Sequence, residues 1–369
     1  MINVFHIVSN KYWGGPEESA YEMVSRLRHD KRFYAEVVCK KNEPVLLHFR
    51  RLEIPISILP LKGKTDMDSP KRLARLIRKG HNVLHVHTFN DAFTAMLARY
   101  MSDNPHTRII MTLHGIVKPR TNYFHRKIYH AIDKMVFVSQ KAHDVWMAGA
   151  RGFDPQKALV IRDSVIGNPL ASPAPNLRQQ LNVGREKALI LYHGRLCPEK
   201  GIDVLLKAAT QLDKDSYHLA IIGEGSPKYV TQIKAFIVAN QLVRNVSLLG
   251  FQEDIAHLIE QCDMGVLPSV EPEALGIANL EYMMQGRPHI TTNNGAQPEY
   301  VTDGLTAMLI EPGNPFSLAA AMQSLIADPA MRQRMGQQAQ DEFEAKLNYD
   351  IHYQQMTDLY HDVFASRPQ

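Results

Sequence analysis

Short apolar runs rich in β-branched residues alternate with longer segments of helical periodicity along almost the whole chain. In the first half the predicted strands cover residues 3–8, 35–38, 83–87, 108–113 and 135–138, and in the second half residues 188–192, 218–222, 246–249, 264–267 and 289–292. Strands that are apolar throughout are typical of a parallel sheet buried on both faces. The alternation therefore predicts an α/β protein built from doubly wound, Rossmann-like sheets.

The length of 369 residues fits two domains of this kind. Residues 167–183 contain three prolines and interrupt the pattern. We therefore predict an N-terminal domain over residues 1–166, a linker over 167–184 and a C-terminal domain over 185–345. A final helix over 346–369 is predicted to pack back on the first domain, because its apolar residues form one stripe: Ile351, Leu359, Tyr360, Val363 and Phe364.

Other features bear on where the protein works. No stretch approaches the roughly 20 apolar residues of a spanning helix, and we expect no membrane span and no signal peptide. The three cysteines form no CxxC pair, which favours a reducing compartment. We expect a cytoplasmic protein, at the inner face of the membrane if the charge pattern serves a membrane contact.

The charge of the two halves differs. Residues up to Val165 hold 27 Lys and Arg against 15 Asp and Glu, whereas the remainder holds 15 against 23. A basic first half indicates an anionic partner for that half alone. The stretch from Lys71 to Lys79 is a short basic amphipathic helix, and either a peripheral membrane contact or an ordinary solvated face explains it.

Two stretches of the second half carry candidate chemistry. Glu273 lies where a loop enters a helix after a predicted strand, and Glu281 lies about two turns inside that helix. Arg195 and Lys200 lie five residues apart in a loop after another strand, and this cationic pair suits a diphosphate. Each stretch alone also fits solvated surface. Both follow strands of one sheet, and ligands bind at the carboxyl ends of such strands.

These stretches and several others resemble one known family. The motifs are GRLCPEKG at 194–201, IGEG at 222–225, PSVEPEALG at 268–276 followed by Glu281, GRP at 286–288 and GAQPE at 295–299, with GGPE at 14–17 and TLHG at 112–115 in the first half. Together they resemble the retaining glycosyltransferases of family 4. The resemblance covers nearly the whole chain and implies the GT-B fold, in which two Rossmann-like domains face across a cleft.

The resemblance also implies roles for single residues. Arg195 and Lys200 would bind the diphosphate of a nucleotide sugar and stabilise the departing nucleoside diphosphate, while Glu273 would hold hydroxyls of the transferred sugar. His114 would lie beside the anomeric carbon. Transfer would proceed by front-face substitution, in which the leaving phosphate takes the proton of the acceptor. Electrostatic stabilisation of that leaving group would then be the main catalytic effect.

The remaining implied contacts concern the nucleotide. Glu281 would accept hydrogen bonds from the ribose, and Gly223 would make room for the nucleoside. Glycines allow backbone to approach the phosphates closely. The residues expected to bind the nucleotide are Gly14, Gly15, Gly223, Leu275, Gly276 and Glu281. Leu275 stands where the family often has an aromatic residue, and residues 160–165 lack the usual Asn-Gly turn between the domains.

We expect no resident cofactor and no metal. The donor substrate would be a UDP or GDP sugar, and the acceptor a glycan or a lipid-linked molecule, as in cell-surface polysaccharide or lipopolysaccharide synthesis. His85 and His87 share a strand face at a metal-like spacing, but no third ligand is evident, so we interpret them as packing. Asp66 and Asp68 precede a helix and are interpreted as its cap.

Two alternatives stay open at this stage. A sugar-nucleotide 2-epimerase of similar fold would turn over a sugar nucleotide without an acceptor. A basic binding module for membrane or nucleic acid, with a decayed site, would explain the charge of the first half. The intact Arg195, Lys200, Glu273 and Glu281 argue against decay. No RNA-binding aromatic signature accompanies the basic residues, so we expect no nucleic-acid partner.

Overall fold

The computed structural model describes residues 1–11, 13–63, 65–167 and 176–365. The chain divides into two compact units. Unit 1 comprises Met1–Ser164 together with Tyr349–Gln369, and unit 2 comprises Val165–Asn348. Each unit contains one parallel sheet with helices on both faces, so the predicted fold class is confirmed.

In unit 1 the described residues form a seven-stranded sheet with the order β3-β2-β1-β4-β5-β6-β7. Its strands are β1 (Ile2–Val8), β2 (Phe33–Cys39), β3 (Ile56–Ile58), β4 (His81–Val86), β5 (Thr107–Leu113), β6 (Lys134–Phe137) and β7 (Ala158–Val160). Every neighbouring pair is parallel. The order reverses between β1 and β4, which makes this the switch point of a doubly wound sheet.

The helices of unit 1 are α1 (Gly15–Leu27), α2 (Glu43–Arg50), α3 (Asp68–Leu76), α4 (Phe89–Ser102), α5 (Tyr123–Ala131), α6 (Gln140–Met147) and the final helix of the chain, α14 (Tyr349–Ala365). Phe5 and Ile7 of β1 face one core, whereas Val4 and Val8 face the other. Leu359 and Tyr360 of α14 belong to that second core. The prediction that the last helix returns to the first domain is therefore confirmed.

In unit 2 the described residues form a six-stranded parallel sheet with the order β10-β9-β8-β11-β12-β13. Its strands are β8 (Ala188–His193), β9 (Tyr217–Ile222), β10 (Val246–Gly250), β11 (Met264–Leu267), β12 (His289–Thr292) and β13 (Met308–Ile310). The order reverses between β8 and β11. The loops after these two strands are the ones that carry the charged motifs of the sequence.

The helices of unit 2 are α7 (Leu177–Leu181), α8 (Ile202–Ala209), α9 (Pro227–Ala239), α10 (Ile255–Gln261), α11 (Ile277–Met284), α12 (Pro315–Ala327) and α13 (Pro329–Lys346). Helix α7 lies inside the span 167–184 that the sequence predicts as a linker, and residues 168–175 of that span lie outside the described residues. Ile190 and Tyr192 of β8 face one core, while Leu189 and Leu191 face the other. Burial on both faces explains why these strands are apolar throughout.

The start of α3 differs in detail from the expectation. The sequence predicts that both Asp66 and Asp68 precede the helix as its cap, whereas α3 begins at Asp68. The capping group is the carboxylate of Asp66, which accepts hydrogen bonds from the amides of Asp68 and Ser69 at 3.1 and 3.0 Å. Asp66 therefore serves helix capping, as the sequence predicts. In the part of the chain that the structure describes, no helix has the length and apolar character needed to cross a bilayer.

Candidate functional site

The loops after β8 and β11 are held together by backbone contacts. Gly201 has a φ of +72°, and a Cβ there would lie 2.0 Å from the carbonyl oxygen of Pro268. The amides of Val270 and Glu271 donate hydrogen bonds to the carbonyl of Glu199 at 2.9 and 3.2 Å. Only glycine allows such an approach without displacing backbone. The switch point of the sheet thus fixes the two charged loops side by side.

Within these loops Lys200 and Glu273 form an ion pair. The Nζ of Lys200 lies 2.5 Å from Oε1 of Glu273, and the hydroxyl of Ser269 donates to the same oxygen. Both side chains are largely shielded, with 21% and 14% exposed. The sequence predicts a ligand role for each residue but does not predict that they pair. In this state the lysine charge is balanced, and the carboxylate of Glu273 is held in place.

Arg195 lies in the same loop and behaves differently. Its side chain is exposed, and within the described residues its guanidinium takes part in no ion pair or hydrogen bond. Its carbonyl accepts a hydrogen bond from the hydroxyl of Tyr192 at 2.9 Å, which anchors the backbone. The loop therefore presents one cation that is already paired and one that faces solvent.

The start of α11 lies next in the chain. Gly276 caps the helix with a φ of +83°, and a Cβ there would lie 3.0 Å from Nδ2 of Asn279. Leu275 is buried, and its carbonyl accepts a hydrogen bond from the hydroxyl of Tyr300 at 2.5 Å. The N-terminus of a helix carries partial positive charge and exposes backbone N–H groups. This end of α11 therefore favours an anion.

The loop after β12 supports Glu273 from behind. A Cβ on Gly295 would lie 2.4 Å from the carbonyl oxygen of Glu273, and the amide of Ala296 donates to that carbonyl at 2.9 Å. This contact gives a physical reason for the glycine of the GAQPE motif. Three loops, which follow β8, β11 and β12, thus converge on Glu273.

Gly223 is placed by packing between loops. Its φ is +137°, and a Cβ would lie 1.9 Å from the carbonyl oxygen of Gly194. Gly225 makes a similar approach to the carbonyl of Leu196, at 2.1 Å. The glycines are therefore needed where the loop after β9 crosses the loop after β8, a reason that differs from the expected room for a nucleoside. The nucleotide-binding role of Gly223 stays a prediction.

Glu281 lies inside α11 and contacts His193, a residue outside the motifs of the sequence. Its Oε2 lies 2.6 Å from Nε2 of His193, the last residue of β8. The side chain of Glu281 is 23% exposed, and that of His193 is 8% exposed. His193 directly precedes the GRLCPEKG motif, and this position is a signal that the sequence offers. Its partner Glu281 lies 88 residues away, so no local pattern connects the two.

In unit 1 the GGPE motif forms the start of α1. Gly14 is the N-cap residue, and a Cβ on Gly15 would meet nothing within 4 Å. Glu17 is buried, accepts a hydrogen bond from Nδ2 of Asn10 at 2.5 Å, and has a pKa raised by burial. Contacts in the described residues therefore do not require glycine at position 15. The motif leaves open space at a helix N-terminus.

His114 follows β5 and faces protein groups of unit 1 with both ring nitrogens. Its Nε2 lies 3.0 Å from Nδ1 of His87, and its Nδ1 lies 3.5 Å from Oδ2 of Asp163. Burial alone raises the pKa of Asp163, but the contact with His114 and the charge of His352 outweigh burial and lower that pKa. The predicted contact of His114 with a donor sugar stays a prediction.

The structure adds a third histidine to the pair at His85 and His87. His6 on β1 lies opposite His85 in the register of β1 and β4, and its Nδ1 lies 3.3 Å from Nε2 of His87. One ring nitrogen of each histidine lies within 4.8 Å of the other two, close enough for the three residues to share a metal ion. The expectation that no third ligand accompanies the pair is therefore wrong. The partner lies 79 residues before His85, and only the strand order brings them together.

Hydrogen bonds account for the three rings. The nitrogens of His85 lie 2.7 Å from the hydroxyl of Tyr360 and 2.8 Å from that of Thr112. A carboxylate at Asp163 requires hydrogen on Nδ1 of His114. One hydrogen also lies between Nε2 of His114 and Nδ1 of His87. Burial lowers the pKa of all three histidines, that of His6 to about 3. Neutral imidazoles with one donor and one acceptor each form a connected chain here. The interpretation of His85 and His87 as packing agrees with this network.

Comparison with known proteins identifies the family. Residues 174–342 match the family model of the glycosyl transferases group 1, and residues 13–165 match that of glycosyltransferase family 4. The two matches fall in the two units and together span most of the chain. The chain belongs to the GT-B glycosyltransferases of the family 4 type and is a glycosyltransferase.

Individual relatives agree with this assignment. An uncharacterised glycosyltransferase of Methanocaldococcus jannaschii is 26% identical over 359 residues, which are 92% of each chain. The lipopolysaccharide 1,2-N-acetylglucosaminetransferase of Salmonella typhimurium is 29% identical over 172 residues, 44% of this chain and 45% of that protein. The crystal structure of HepE from Anabaena in complex with UDP superposes with a TM-score of 0.84 over 98% of this chain and 100% of that one, at 19% identity. The fold is therefore GT-B.

The buried histidines predict a pH effect on stability. His6 has a folded pKa of about 3, below the unfolded value of 6.5, so only the unfolded chain gains a proton as pH falls below 6.5. The free energy of unfolding therefore decreases as pH falls from about 6.5 towards 3. Between about pH 7.5 and about pH 5.5 we expect the loss of unfolding free energy to be smaller in His6→Gln than in the wild type, by about 1.4 kcal/mol.

Tryptophan fluorescence during urea unfolding measures this effect in unit 1, because Trp13 and Trp146 are the two tryptophans of the sequence and both belong to that unit. His130→Gln, at an exposed position of the same unit, is the control and should keep the wild-type pH dependence. An equal loss in wild type and His6→Gln would contradict the assignment of a neutral, buried His6.

Proposed function

We propose that the protein transfers a sugar from a nucleoside diphosphate sugar to a glycan or lipid-linked acceptor, with retention of the anomeric configuration and without a metal. The observation that carries this proposal is the convergence of Arg195, Lys200 and the start of α11 at one edge of the unit 2 sheet. A guanidinium, an ammonium and helix amides are the groups that a diphosphate needs. Family membership makes the diphosphate part of a sugar donor.

The Lys200–Glu273 pair has a role in this scheme. In the free protein each group neutralises the other at 2.5 Å. We infer that the donor diphosphate competes for the ammonium of Lys200 and leaves the carboxylate of Glu273 to accept hydrogen bonds from sugar hydroxyls. Pairing in the free state holds the carboxylate of Glu273 in place, so little reorganisation is needed when the donor binds.

The chemistry then needs no nucleophile from the protein. The bond between the anomeric carbon and the β-phosphate oxygen breaks on the face where the acceptor oxygen bonds, and the leaving phosphate takes the acceptor proton. Arg195, Lys200 and the helix amides stabilise the negative charge that develops on the leaving group. One such contact is typically worth about 3–4 kcal/mol of barrier. The same cations supply the charge for which other transferases use a metal.

The identities of donor and acceptor rest on relatives. HepE is known in complex with UDP, and the Salmonella typhimurium relative is named for lipopolysaccharide. We therefore propose UDP, with GDP as the other choice, as the nucleotide of the donor. We propose an acceptor from polysaccharide or lipopolysaccharide synthesis, reached from the cytoplasm. The predicted roles of Gly14, Gly15 and His114 toward the donor belong to the same proposal.

Helix α3 supports a membrane-surface contact for unit 1. Its apolar residues Leu73 and Ala74 are buried in the core of the unit, so this face is not available for insertion into lipid. The basic side chains of α3 and of the residues that follow it are all exposed: Lys71, Arg72 and Arg75 in the helix, then Arg78 and Lys79. Such a face binds an anionic surface by charge alone, and each basic residue near the surface contributes about 1 kcal/mol.

We predict that Lys200→Ala and Arg195→Ala each lower turnover by roughly 10²-fold or more, because charge on the leaving group is then uncompensated. Arg195 is exposed, so we expect its loss to change the melting temperature little. Loss of Lys200 leaves the shielded carboxylate of Glu273 unpaired and should lower the melting temperature, while the protein still folds. Lys207→Ala on the exposed side of α8 is the matched control and should keep wild-type turnover. A folded Lys200→Ala or Arg195→Ala protein with wild-type turnover would remove the diphosphate assignment.

A separate prediction concerns α3 and its C-terminal flank. Reversal of Lys71, Arg75 and Arg78 to Glu should weaken sedimentation with anionic vesicles and raise the acceptor KM, while donor affinity stays unchanged. The control reverses three exposed cations of unit 2, Lys207, Lys234 and Arg334, and should leave vesicle binding unchanged. Because the contact is electrostatic, wild-type binding should weaken as salt rises. Equal vesicle binding by both triple variants and the wild type would show that the basic face is merely solvated.

A further inference from the structure

We propose that His193 is a positioning residue for the donor ribose, and that it acts by orienting the carboxylate of Glu281. The inference rests on the proposed function, since it takes Glu281 as the group that receives the ribose hydroxyls. His193 lies outside the motifs that resemble the family. Through Glu281 it would give the site a preference for nucleotides with ribose hydroxyls over nucleotides without them.

The contacts of His193 define both of its ring nitrogens. Nδ1 lies 2.9 Å from the hydroxyl of Tyr282, and Nε2 lies 2.6 Å from Oε2 of Glu281. Tyr282 and Glu281 are consecutive residues of α11, whereas His193 ends β8. The ring of His193 packs edge-on against that of Tyr282, with centroids 4.9 Å apart. The histidine therefore bridges the sheet and the helix at the end of the strand.

A count of hydrogens shows which groups donate. The hydroxyl of Tyr282 lies 2.8 Å from the carbonyl oxygen of Leu191 and donates its one hydrogen there. Its oxygen must then accept from His193, so Nδ1 carries a hydrogen. Burial raises the pKa of Tyr282 well above 10, so the hydroxyl keeps its hydrogen at neutral pH. The hydrogen bonds therefore run from Nδ1 of His193 to the hydroxyl of Tyr282, and from that hydroxyl to the carbonyl of Leu191.

The contact with Glu281 follows from the same count. At 2.6 Å a hydrogen must lie between Nε2 and Oε2, because a bare nitrogen lone pair facing a carboxylate would be repulsive. The pair therefore shares one proton, as an imidazolium with a carboxylate or as an imidazole with a carboxylic acid. Such charge-assisted bonds are short and strong. His193 thus fixes the plane of the Glu281 carboxyl group.

This arrangement leaves the other oxygen of Glu281 for a ligand. Within the described residues no hydrogen bond reaches Oε1 of Glu281, and the side chain is 23% exposed. A carboxyl group held at one oxygen presents the second in a defined direction to the ribose. Without His193 the Glu281 side chain regains its rotamer freedom, and part of the hydrogen-bond energy to the ribose is lost to ordering it.

The test measures ribose discrimination. Dissociation constants are determined by calorimetry for UDP and 2′,3′-dideoxy-UDP, or for the GDP pair if the wild type binds GDP better. We expect the wild type to prefer the ribonucleotide by roughly tenfold or more, since the shielded carboxyl oxygen of Glu281 loses its hydrogen-bond partner in the dideoxy ligand. His193→Phe keeps the ring and removes both hydrogen bonds, and it should bring this ratio close to that of Glu281→Gln.

Two further variants separate positioning from packing. His193→Gln places an amide N–H near Nε2 and should restore most of the discrimination. His193→Asn places its amide near Nδ1, does not reach Glu281, and should behave like His193→Phe, which keeps the test valid if the phenylalanine variant does not fold. His257→Asn removes another buried histidine that contacts a carboxylate of unit 2, at Asp254, and should keep the wild-type ratio.

The outcomes distinguish the inference from the proposed function. A wild type that binds both nucleotides equally would overturn the ribose role of Glu281 itself. A wild type that discriminates, with His193→Phe and His193→Asn weakened equally toward both ligands, would show that His193 only supports packing. Loss of discrimination in these two variants, with recovery in His193→Gln, is the result that the inference requires.

Discussion

The close backbone approach of the loops after β8 and β11 is the constraint on which the candidate site depends. Gly201 lies against the carbonyl of Pro268, where a Cβ would be 2.0 Å from the oxygen, and two amides of the second loop bond to Glu199 in the first. This contact brings Lys200 within 2.5 Å of Glu273. This contact is possible because the strand order of the sheet reverses between β8 and β11. The carboxyl ends of these two neighbouring strands, and the loops that follow them, therefore lie side by side.

The two units handle ionisable groups in different ways. In unit 2 the ionisable side chains of two contacts, Lys200–Glu273 and His193–Glu281, are partly exposed. In unit 1 the histidines near His114 are buried and neutral, and hydrogen bonds rather than ions connect them. Partly exposed charges can exchange their partner for a ligand, whereas a buried neutral network resists change. This difference agrees with the proposal that unit 2 binds an anionic donor and that unit 1 holds His114 in one orientation.

Much of the fold could be predicted from the sequence because its signals are local. The apolar runs predicted the longer strands. The charged motifs follow strands in the sequence, and this order predicted that they lie at the carboxyl ends of the parallel strands. Among the described edge strands, β10 was predicted, whereas β3, β7 and β13 have only three residues each and were not predicted. The capping role of Asp66 in α3 was also predicted, although Asp68 proves to be the first residue of the helix.

The side-chain partners in the site could not be predicted, since they depend on strand order and rotamers. Lys200 and Glu273 are 73 residues apart, and His193 and Glu281 are 88 apart. His6 joins His85 only because β1 lies next to β4 in register. The glycines Gly201 and Gly223 read as loop residues in the sequence, and only the structure shows which carbonyl each one admits. The types of residue in the site could therefore be predicted from the sequence, but the contacts between their side chains could not.

The central claim is that the paired loops of unit 2 bind a nucleoside diphosphate without a metal. Thermal shift in EDTA with UDP, GDP and ADP tests it most directly, because a ligand at 100 times its dissociation constant adds about 2.7 kcal/mol of stability. We predict that one of these nucleotides raises the melting temperature of the wild type and has no effect on Arg195→Ala/Lys200→Ala. No shift with any of the three, or an equal shift in the double variant, would contradict the account.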